Sequence, residues 1–276
     1  MQLSSIHCFP VKGLGGCAMT ETPIEARGIA GDRRWMIIDQ RNRFVTRREV
    51  PAMASLNVTP SRTGLTIRSA TESSHAIMPG DEAPLVDARV WRDTVSVRVG
   101  NDAADAFLSE ALGRPVRLAH QHDSSRRAID PRYSRPDDHV SLADGFPLLI
   151  TTMASLDALN DRLAVPVTMA RFRSNLVIAD AAPWQEDRWR RIRIGAVEME
   201  IARPCSRCIV VTQQPDTGER LEGNEPLATL RAMGRLAADG IMFGQNAIIR
   251  RPGTLSIGDR VEVIEEGDSR PAPASR

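Results

Sequence analysis

The first hundred residues alternate between short apolar stretches and polar turns, as β-strands joined by tight turns do. An apolar stretch at residues 33–39 is followed by a polar turn, and residues 44–46 are apolar again, which predicts a hairpin. Further along, Val95, Val97 and Val99 alternate with polar residues, which predicts a strand with one buried face. The N-terminal half of the chain is therefore predicted to be rich in β-structure.

Helices and strands mix in the second half. Asn101 and Thr152 are each the predicted N-cap of a helix, because each precedes apolar residues at helical spacing. Between them, residues 121–138 are polar and lack apolar periodicity, which predicts a surface connection between two halves of the chain. Residues 192–201 alternate on either side of Gly195, which predicts a second hairpin.

The common nucleotide-binding motifs do not occur in the chain. It has neither the strand-G-x-G-x-x-G-helix unit of dinucleotide-binding folds nor the G-x-x-x-x-G-K-[ST] loop of P-loop proteins. The remaining prediction is a mainly β, α+β protein that is built from two barrel-like or sandwich-like lobes.

Composition and charge narrow the classes of function. The chain has 276 residues, of which 42% are hydrophobic, and its formal net charge is only +1. This near-neutral balance provides no overall field for binding nucleic acid or an anionic membrane surface. No stretch approaches the roughly 20 apolar residues that span a bilayer, and the N-terminus lacks the pattern of a secretory signal. We therefore expect a cytoplasmic protein that binds neither nucleic acid nor membrane.

Two of the four cysteines, Cys205 and Cys208, form a C-x-x-C pair, and four cysteines are too few for a disulfide framework in a chain of this length. The pair is predicted to lie at a loop tip or strand entrance, between a strand that ends at Ile201 and one that begins at Ile209, where a thiol can meet a ligand. Arginines beside the cysteines favour the thiolate, which is the form that binds soft metals.

Other interpretations of the pair remain. Two free cysteines are commonly buried as small hydrophobic residues. A structural zinc site needs four ligands, so the pair would have to recruit Cys8 and Cys17 or a histidine. A thioredoxin-like dithiol would lie at a strand-to-helix turn, against which the flanking strands argue. A plant-type iron–sulfur cluster needs a cysteine grouping that the chain lacks.

Basic residues provide candidate sites for an anion. Arg33 begins a strand in the first half, and Arg173 with Asn175 precedes a strand in the second. Guanidinium groups pair with phosphate oxygens in a bidentate manner, and an amide beside them can bind the edge of a heterocycle. Lys12, the only lysine of the chain, is followed by Gly13 in a glycine-rich loop, where backbone N–H groups and the ammonium can both bind a phosphate.

Short motifs occur in a characteristic order along nearly the whole chain. They are F-P-V-K-G, G-D-R-R-W, R-F-R-S-N-L-V-I, R-P-C-S-R-C-I-V-V-T with P-D-T-G, F-G-Q-N, and P-G-T-x-x-x-G-D. Together they resemble the MOSC-domain family, and specifically its members with an N-terminal MOSC β-barrel domain, such as the mitochondrial amidoxime-reducing component and bacterial reductases of N-hydroxylated bases. The resemblance implies a β-rich N-terminal domain at residues 1–118, a C-terminal MOSC β-barrel domain with peripheral helices at 119–266, and a flexible tail at 267–276.

The resemblance also implies a molybdenum cofactor, in which a pterin dithiolene holds the metal. Carried onto this sequence, Cys208 is the implied protein ligand to the metal and the implied catalytic residue. The other implied cofactor contacts are Lys12, Gly13, Arg33, Thr152, Met153, Arg173, Asn175, Cys205, Ser206 and Arg207. Relatives carry a serine at the position of Gly13, so a hydroxyl contact is lost here and a backbone N–H is left to replace it.

The implied activity is that of an oxidoreductase that reduces small N-hydroxylated or N-oxide substrates. Because the chain carries no ferredoxin-like domain, the electrons are expected from a separate donor protein with flavin, haem or an iron–sulfur cluster. The alternative within the family is a protein that carries the cofactor or sulfur without turnover. Pyridoxal phosphate is also associated with the family, but its Schiff base needs a lysine, and only Lys12 is present. A zinc-bound structural module is the third interpretation.

Overall fold

The computed structural model describes residues 1–220 and 222–267, which form β-strands, three α-helices and several short 3₁₀ segments. The first strands are β1 (Gln2–Cys8), β2 (Val11–Lys12), β3 (Cys17–Met19), β4 (Glu21–Glu25), β5 (Gly28–Ile29), β6 (Trp35–Ile38), β7 (Asn57–Ser61), β8 (Gly64–Arg68), β9 (Ser73–Ile77), β10 (Leu85–Val90), β11 (Asp93–Arg98) and β12 (Arg117–His120). The remaining strands are β13 (Arg127–Ala128), β14 (His139–Val140), β15 (Leu148–Thr152), β16 (Leu176–Ala179), β17 (Trp189–Ile194), β18 (Val197–Arg207), β19 (Leu236–Ala237), β20 (Gly240–Arg251), β21 (Gly253–Ser256) and β22 (Val261–Glu266). The helices are α1 (Asp102–Ala111), α2 (Met153–Asn160) and α3 (Leu227–Ala232).

The largest sheet joins both halves of the chain. Its strands follow the order β22-β17-β18-β20-β15-β16-β1-β3, and β19 pairs with β20. Strand β1 runs antiparallel to β16, so that Ile6 lies opposite Leu176. A smaller sheet pairs β21 near the C-terminus with β4 near the N-terminus. The two predicted lobes therefore share backbone hydrogen bonds.

A second sheet, in the order β10-β11-β12-β6-β2, belongs to the N-terminal half. One of its faces contributes Ile37 and Leu118 to a core that also holds Leu65 of β8 and Leu108 of α1. The prediction of a mainly β protein with few helices is confirmed. In the described part of the chain, the paired strands do not close into a barrel.

The two predicted hairpins are confirmed. In the first, the N–H of Val45 donates to the carbonyl of Ile37 at 2.8 Å, and the carboxylate of Asp39 accepts hydrogen bonds from the backbone of the turn. In the second, β17 and β18 pair across a turn at Gly195, whose φ of +52° suits a residue without a side chain. Both hairpins depend on residues close together in sequence, which is why the pattern predicts them.

Of the two predicted helix caps, only one forms. Thr152 precedes α2, and its hydroxyl accepts a hydrogen bond from the N–H of Ser155 at 3.2 Å. Asn101 precedes α1, but its side-chain oxygen accepts from the N–H of Ile77 at 2.9 Å instead. The prediction of a capping side chain at Asn101 is wrong because a neighbouring strand competes for the same oxygen.

The prediction of a surface connection at residues 121–138 is confirmed only in part, because about half of these residues are exposed but five are buried. Gln121 is fully buried, and Arg127 lies inside the protein. The guanidinium of Arg127 donates to the carbonyls of Ser141 and Ala143, which satisfies its buried donors. A polar segment can therefore be part of the interior where its charged groups meet backbone carbonyls.

No helix in residues 1–220 and 222–267 is long and apolar enough to cross a bilayer. The predicted flexible tail lies, beyond Gly267, outside the described residues.

Candidate functional site

Residues of both large sheets line a cleft of about 970 Å³, a volume that includes the part open to solvent. The cleft brings together most of the residues that the motifs single out. Those that line it are Lys12, Gly13, Arg33, Arg173, Asn175, Cys205, Arg207 and Cys208. Those that do not are Thr152, Met153 and Ser206.

The last three residues point elsewhere for simple geometric reasons. Side chains alternate along a strand, so Ser206 of β18 faces away from the cleft that its neighbours line, and its hydroxyl donates to the carbonyl of Asp239 at 2.6 Å. Thr152 is fully buried as the cap of α2. Met153 begins α2 and is 39% exposed outside the cleft. The structure therefore gives Thr152 a structural contact, and its implied contact with the cofactor stays a prediction.

Thr152 belongs to a buried polar group around Glu186. The hydroxyls of Thr152 and Ser155 donate to one carboxylate oxygen of Glu186 at 3.0 and 2.9 Å. Burial raises the pKa of Glu186 above its ordinary value of 4.5, although these hydroxyls partly oppose the rise. A glutamate with a raised pKa stabilises the folded state below its unfolded pKa, and this stability is lost as pH rises through the folded value.

Glu186→Gln is therefore expected to remove a pH dependence of stability. In the wild-type protein, the free energy of unfolding should fall as pH rises above 4.5, by about 1.4 kcal/mol for each unit by which the pKa is raised. The variant, which carries no charge at this position, should be less dependent on pH and more stable than the wild type at pH 8. Urea unfolding at several pH values measures this. Glu265→Gln, a change at an exposed strand position, is the matched control and should keep the wild-type profile.

The cysteine pair does not lie at the tip of a loop. Cys205 lies within a strand, and Cys208 lies directly after the end of that strand. Strand β18 continues through Cys205 to Arg207, because the long strand β20 pairs with it as far as Ile241. Cys208 directly follows β18 and precedes a 3₁₀ segment, Ile209–Thr212. Its side chain is partly exposed in the cleft, so its thiol is accessible to a ligand.

Arg207 is fixed beside the cysteines. One of its Nη atoms donates to Cys205 Sγ at 2.9 Å and the other to the carbonyl of Phe172 at 2.6 Å. These two contacts fix the guanidinium between the sulfur of Cys205 and the backbone of Phe172. Cys205 is thus held within the protein, whereas Cys208 stands at the end of the strand where the cleft opens.

Arg33 and Arg173 approach each other from opposite halves of the chain. Both guanidinium groups lie over the ring of Phe9, at 4.5 and 4.2 Å from its centroid. Both residues have positive φ angles, +46° and +53°, which are uncommon for residues with side chains and concentrate at functional sites. Burial lowers the pKa of Arg173 well below its usual range, and the charges of Arg33 and Arg47 lower it further. The two guanidinium groups place two positive charges close together, and a bound anion would reduce the repulsion between them.

The amide of Asn175 holds this arrangement together and does not project freely into the cleft. Its oxygen accepts from the N–H of Leu149 and from Arg33 Nη1, both at 3.1 Å. Its Nδ2 donates to the carbonyl of His7 and to Asp32 Oδ1, both at 3.2 Å. Asn175 therefore positions the arginine, and its amide is already paired within the protein.

Lys12 lies on another wall of the cleft and is buried. Its Nζ is 2.5 Å from Asp144 Oδ1 and 5.2 Å from the centroid of the Phe44 ring. Burial lowers the pKa of Lys12, and the carboxylate of Asp144 partly opposes this. The next residue, Gly13, has a φ of +90°, and a Cβ there would lie 2.6 Å from the terminal methyl of Met53. The backbone at Gly13 therefore comes close to the cleft in a conformation that favours glycine.

Several cleft residues were not predicted from the sequence. These are Arg47, Arg48, Trp91 and Asp144. Arg47 and Arg171 bind the backbone of the segment after the cysteines, through the carbonyls of residues 214 and 213 at 3.2 and 2.7 Å. Arg171 is the first residue of the motif R-F-R-S-N-L-V-I, whereas no motif marks Arg47 or Arg48, and only the folded contacts identify these two. Within the described residues, the buried Nε atoms of Arg47 and Arg207 have no hydrogen-bond partner, so they remain available to a ligand.

The described residues do not offer a structural zinc site. No group of three or more histidine, cysteine or acidic side chains in this part of the chain could hold a metal ion. Cys8 and Cys17 lie opposite each other on β1 and β3, and neither lines the cleft that contains Cys205 and Cys208. The four-ligand set that a zinc module requires is therefore not assembled by these residues.

Comparison with known proteins places both halves of the chain in families. Residues 1–115 match the model of the MOSC N-terminal beta barrel domain, and residues 137–262 match the model of the MOSC domain. These matches follow the order in which the two groups of motifs occur.

Curated relatives agree with the family models. The chain is similar to mitochondrial amidoxime-reducing component 1 of Homo sapiens, with 31% identity over 281 residues that cover 95% of the chain and 82% of the relative. It is 30% identical over 287 residues to the protein of the same name in Mus musculus, with the same two coverages. It is also similar to molybdenum cofactor sulfurase of Oryza sativa subsp. japonica, with 28% identity over 271 residues that cover 88% of the chain and 32% of that protein. The motifs, the two domain matches and these relatives together show that the chain belongs to the MOSC-domain family.

Proposed function

We propose that the protein is a molybdenum-cofactor-dependent oxidoreductase that reduces N-hydroxylated or N-oxide substrates. The observation that carries this proposal is the cleft in which the thiol of Cys208 lies among basic side chains from both halves of the chain. The names of the relatives, amidoxime-reducing component and molybdenum cofactor sulfurase, support the same chemistry. The reaction consumes two electrons and two protons, cleaves an N–O bond and releases water.

The residues of the cleft fit such a cofactor. A sulfur ligand suits a soft metal, and Cys208 offers one at the open end of β18. The guanidinium groups of Arg33 and Arg173, with the unpartnered Nε atoms of Arg47 and Arg207, match an anionic pterin that carries a phosphate. When bound, the molybdenum centre would supply the two-electron redox chemistry.

The protein's own side chains would bind and orient this group. Cys208 would bind the metal, and Lys12 and the two arginines on Phe9 would bind the anionic part. Asp32 and Asn175 hold Arg33 in place, so the positive charge is positioned before the ligand arrives. Because little of this arrangement has to reorganise, less of the binding free energy is spent on ordering the site.

The test is expression under anaerobic conditions in a host that makes molybdopterin, followed by metal and pterin analysis and a reduction assay. We expect near-stoichiometric molybdenum, and reduction of N-hydroxyadenine with an artificial reductant. A persulfide on the protein without molybdenum would overturn the proposal and support the carrier function. Zinc in place of molybdenum, with unfolding by a chelator, would support the structural module.

We further propose that the electrons come from a separate protein that carries flavin, haem or an iron–sulfur cluster. A pterin-bound metal would need a reductant for each turnover, and the amidoxime-reducing relatives support a reductive reaction here. The purified and loaded protein should therefore reduce N-hydroxyadenine with an artificial reductant but not with NADH alone. Direct turnover from NADH would contradict this part of the proposal. Location in the cytoplasm stays a prediction of the sequence.

A further inference from the structure

Trp91 stands at the tip of the hairpin between β10 and β11, on the wall of the cleft that the N-terminal half provides. Its φ is +56°, which is a strained conformation for a bulky residue. It is also 39% exposed, whereas Trp35 and Trp189 are 4% and 0% exposed. An exposed indole in a strained conformation adds little to the core, so its place in the cleft calls for another explanation.

Four side chains surround the indole, and one of them is Lys12, whose Nζ lies 5.9 Å from the ring centroid. The indole Nε1 donates to Asp144 Oδ1 at 3.1 Å, and the indole ring meets the ring of Phe44 edge-on with centroids 4.8 Å apart. The guanidinium of Arg48 lies 4.9 Å from the centroid of the indole. Asp144 and Phe44 come from different segments, so the ring is fixed relative to both walls of the cleft.

Of these neighbours, Arg48 is the one that a ligand can most easily displace from the indole. Its side chain is exposed at the surface, where a cation–π contact is weak because water screens it. Stacking of a nucleobase-like ring on an aromatic side chain is stronger than such an exposed contact. A flat ring that enters the cleft can therefore take the place of the guanidinium on the indole.

We infer, on the basis of the proposed function, that Trp91 is the surface on which the ring of an aromatic or heteroaromatic N-hydroxylated substrate stacks. Trp91 is thus a specificity-determining residue that favours planar substrates over aliphatic ones. It positions the substrate ring, and it takes no part in electron or proton transfer.

Steady-state kinetics with two substrates test the inference in the loaded enzyme. For Trp91→Ala, we expect KM for the planar substrate N-hydroxyadenine to rise by about tenfold to a hundredfold, which corresponds to the loss of one stacking contact. Its kcat and the KM of the aliphatic substrate acetamidoxime should change by less than about twofold, because only ring binding is removed. Trp91→Phe should recover most of the affinity, since it keeps an aromatic ring beside Phe44. Ile77→Ala, at a residue that is 69% exposed and outside the cleft, should behave as the wild type.

A binding measurement separates this inference from the proposed function. Adenine, which is planar and carries no N–O bond, should quench tryptophan fluorescence saturably in the wild type, and the quenching should be lost in Trp91→Phe. This result would support the stacking surface even if no reductase activity were found. Equal losses on both substrates in Trp91→Ala, or the same quenching in Trp91→Phe as in the wild type, would overturn it.

Discussion

Replacing Cys208 by serine is expected to leave a folded protein that no longer retains molybdenum and whose reductase activity falls at least about a hundredfold. The thiol is partly exposed at the end of β18, so a serine there leaves no cavity in the core. A hydroxyl is a hard ligand that binds a soft metal poorly, so the metal should be lost before any other part of the site changes. Metal analysis, activity and the thermal unfolding temperature measure these three effects on the same preparation.

Two other cysteines provide the controls for Cys208→Ser. Cys17 lies on β3 outside the cleft, so Cys17→Ser should retain both molybdenum and activity. Cys205→Ser keeps the proposed metal ligand but loses the contact with Arg207, so it should retain metal with a smaller loss of rate. If Cys208→Ser bound molybdenum as well as the wild type does, Cys208 would not be the metal ligand.

The second large effect is expected at Asp32, where Asp32→Ala should lower the free energy of unfolding by about 3–5 kcal/mol. The residue is 1% exposed, and its carboxylate accepts from the N–H of Phe9 at 2.8 Å, Arg33 Nη1 at 2.6 Å and Asn175 Nδ2 at 3.2 Å. Removing it leaves the N–H of Phe9 without this acceptor and the guanidinium of Arg33 without its buried carboxylate, which costs more than the pair itself contributes. Urea unfolding at neutral pH measures the change.

Glu49→Ala is the control for Asp32→Ala. The carboxylate of Glu49 also pairs with an arginine, Arg43, at 2.7 Å, but the two side chains are 36% and 48% exposed. Solvent screens such a pair, so its loss should cost less than about 1 kcal/mol. Equal effects of the two substitutions would contradict the view that Asp32 is the buried acceptor that holds Arg33.

Local features of the fold were predictable because they depend on residues that are near in sequence. The turn at Gly195 and the cap at Thr152 are examples, and both form as predicted. Features that depend on distant partners were not predictable. Strand β18 runs past Ile201 because β20 is long enough to pair with it, and nothing in its own sequence indicates this. The burial of Arg127 within the partly exposed segment 121–138 likewise depends on partners that it meets only after folding, which are the carboxylate of Asp93 and the carbonyls of Ser141 and Ala143.

The candidate site follows the same rule. Lys12, Arg173 and Cys208 line one cleft. Each of them was predictable because it belongs to a sequence motif. Met153 carries a similar signal by resemblance, but the helix it begins turns its side chain away from the cleft. Trp91 carries no motif, and only its exposure and its neighbours identify it.

The pairing of the first strand with β16 has a consequence for biosynthesis. Ile6 is translated roughly 170 residues before Leu176, its cross-strand partner, so at a synthesis rate of about 5–20 residues per second β1 stays without this partner for on the order of ten seconds. During that interval β3 can already cover one side of β1, while the other side exposes unpaired N–H and C=O groups to any neighbouring nascent chain. Slower elongation before Leu176 would lengthen this exposure, and the yield of native protein should then depend on ribosome-associated chaperones.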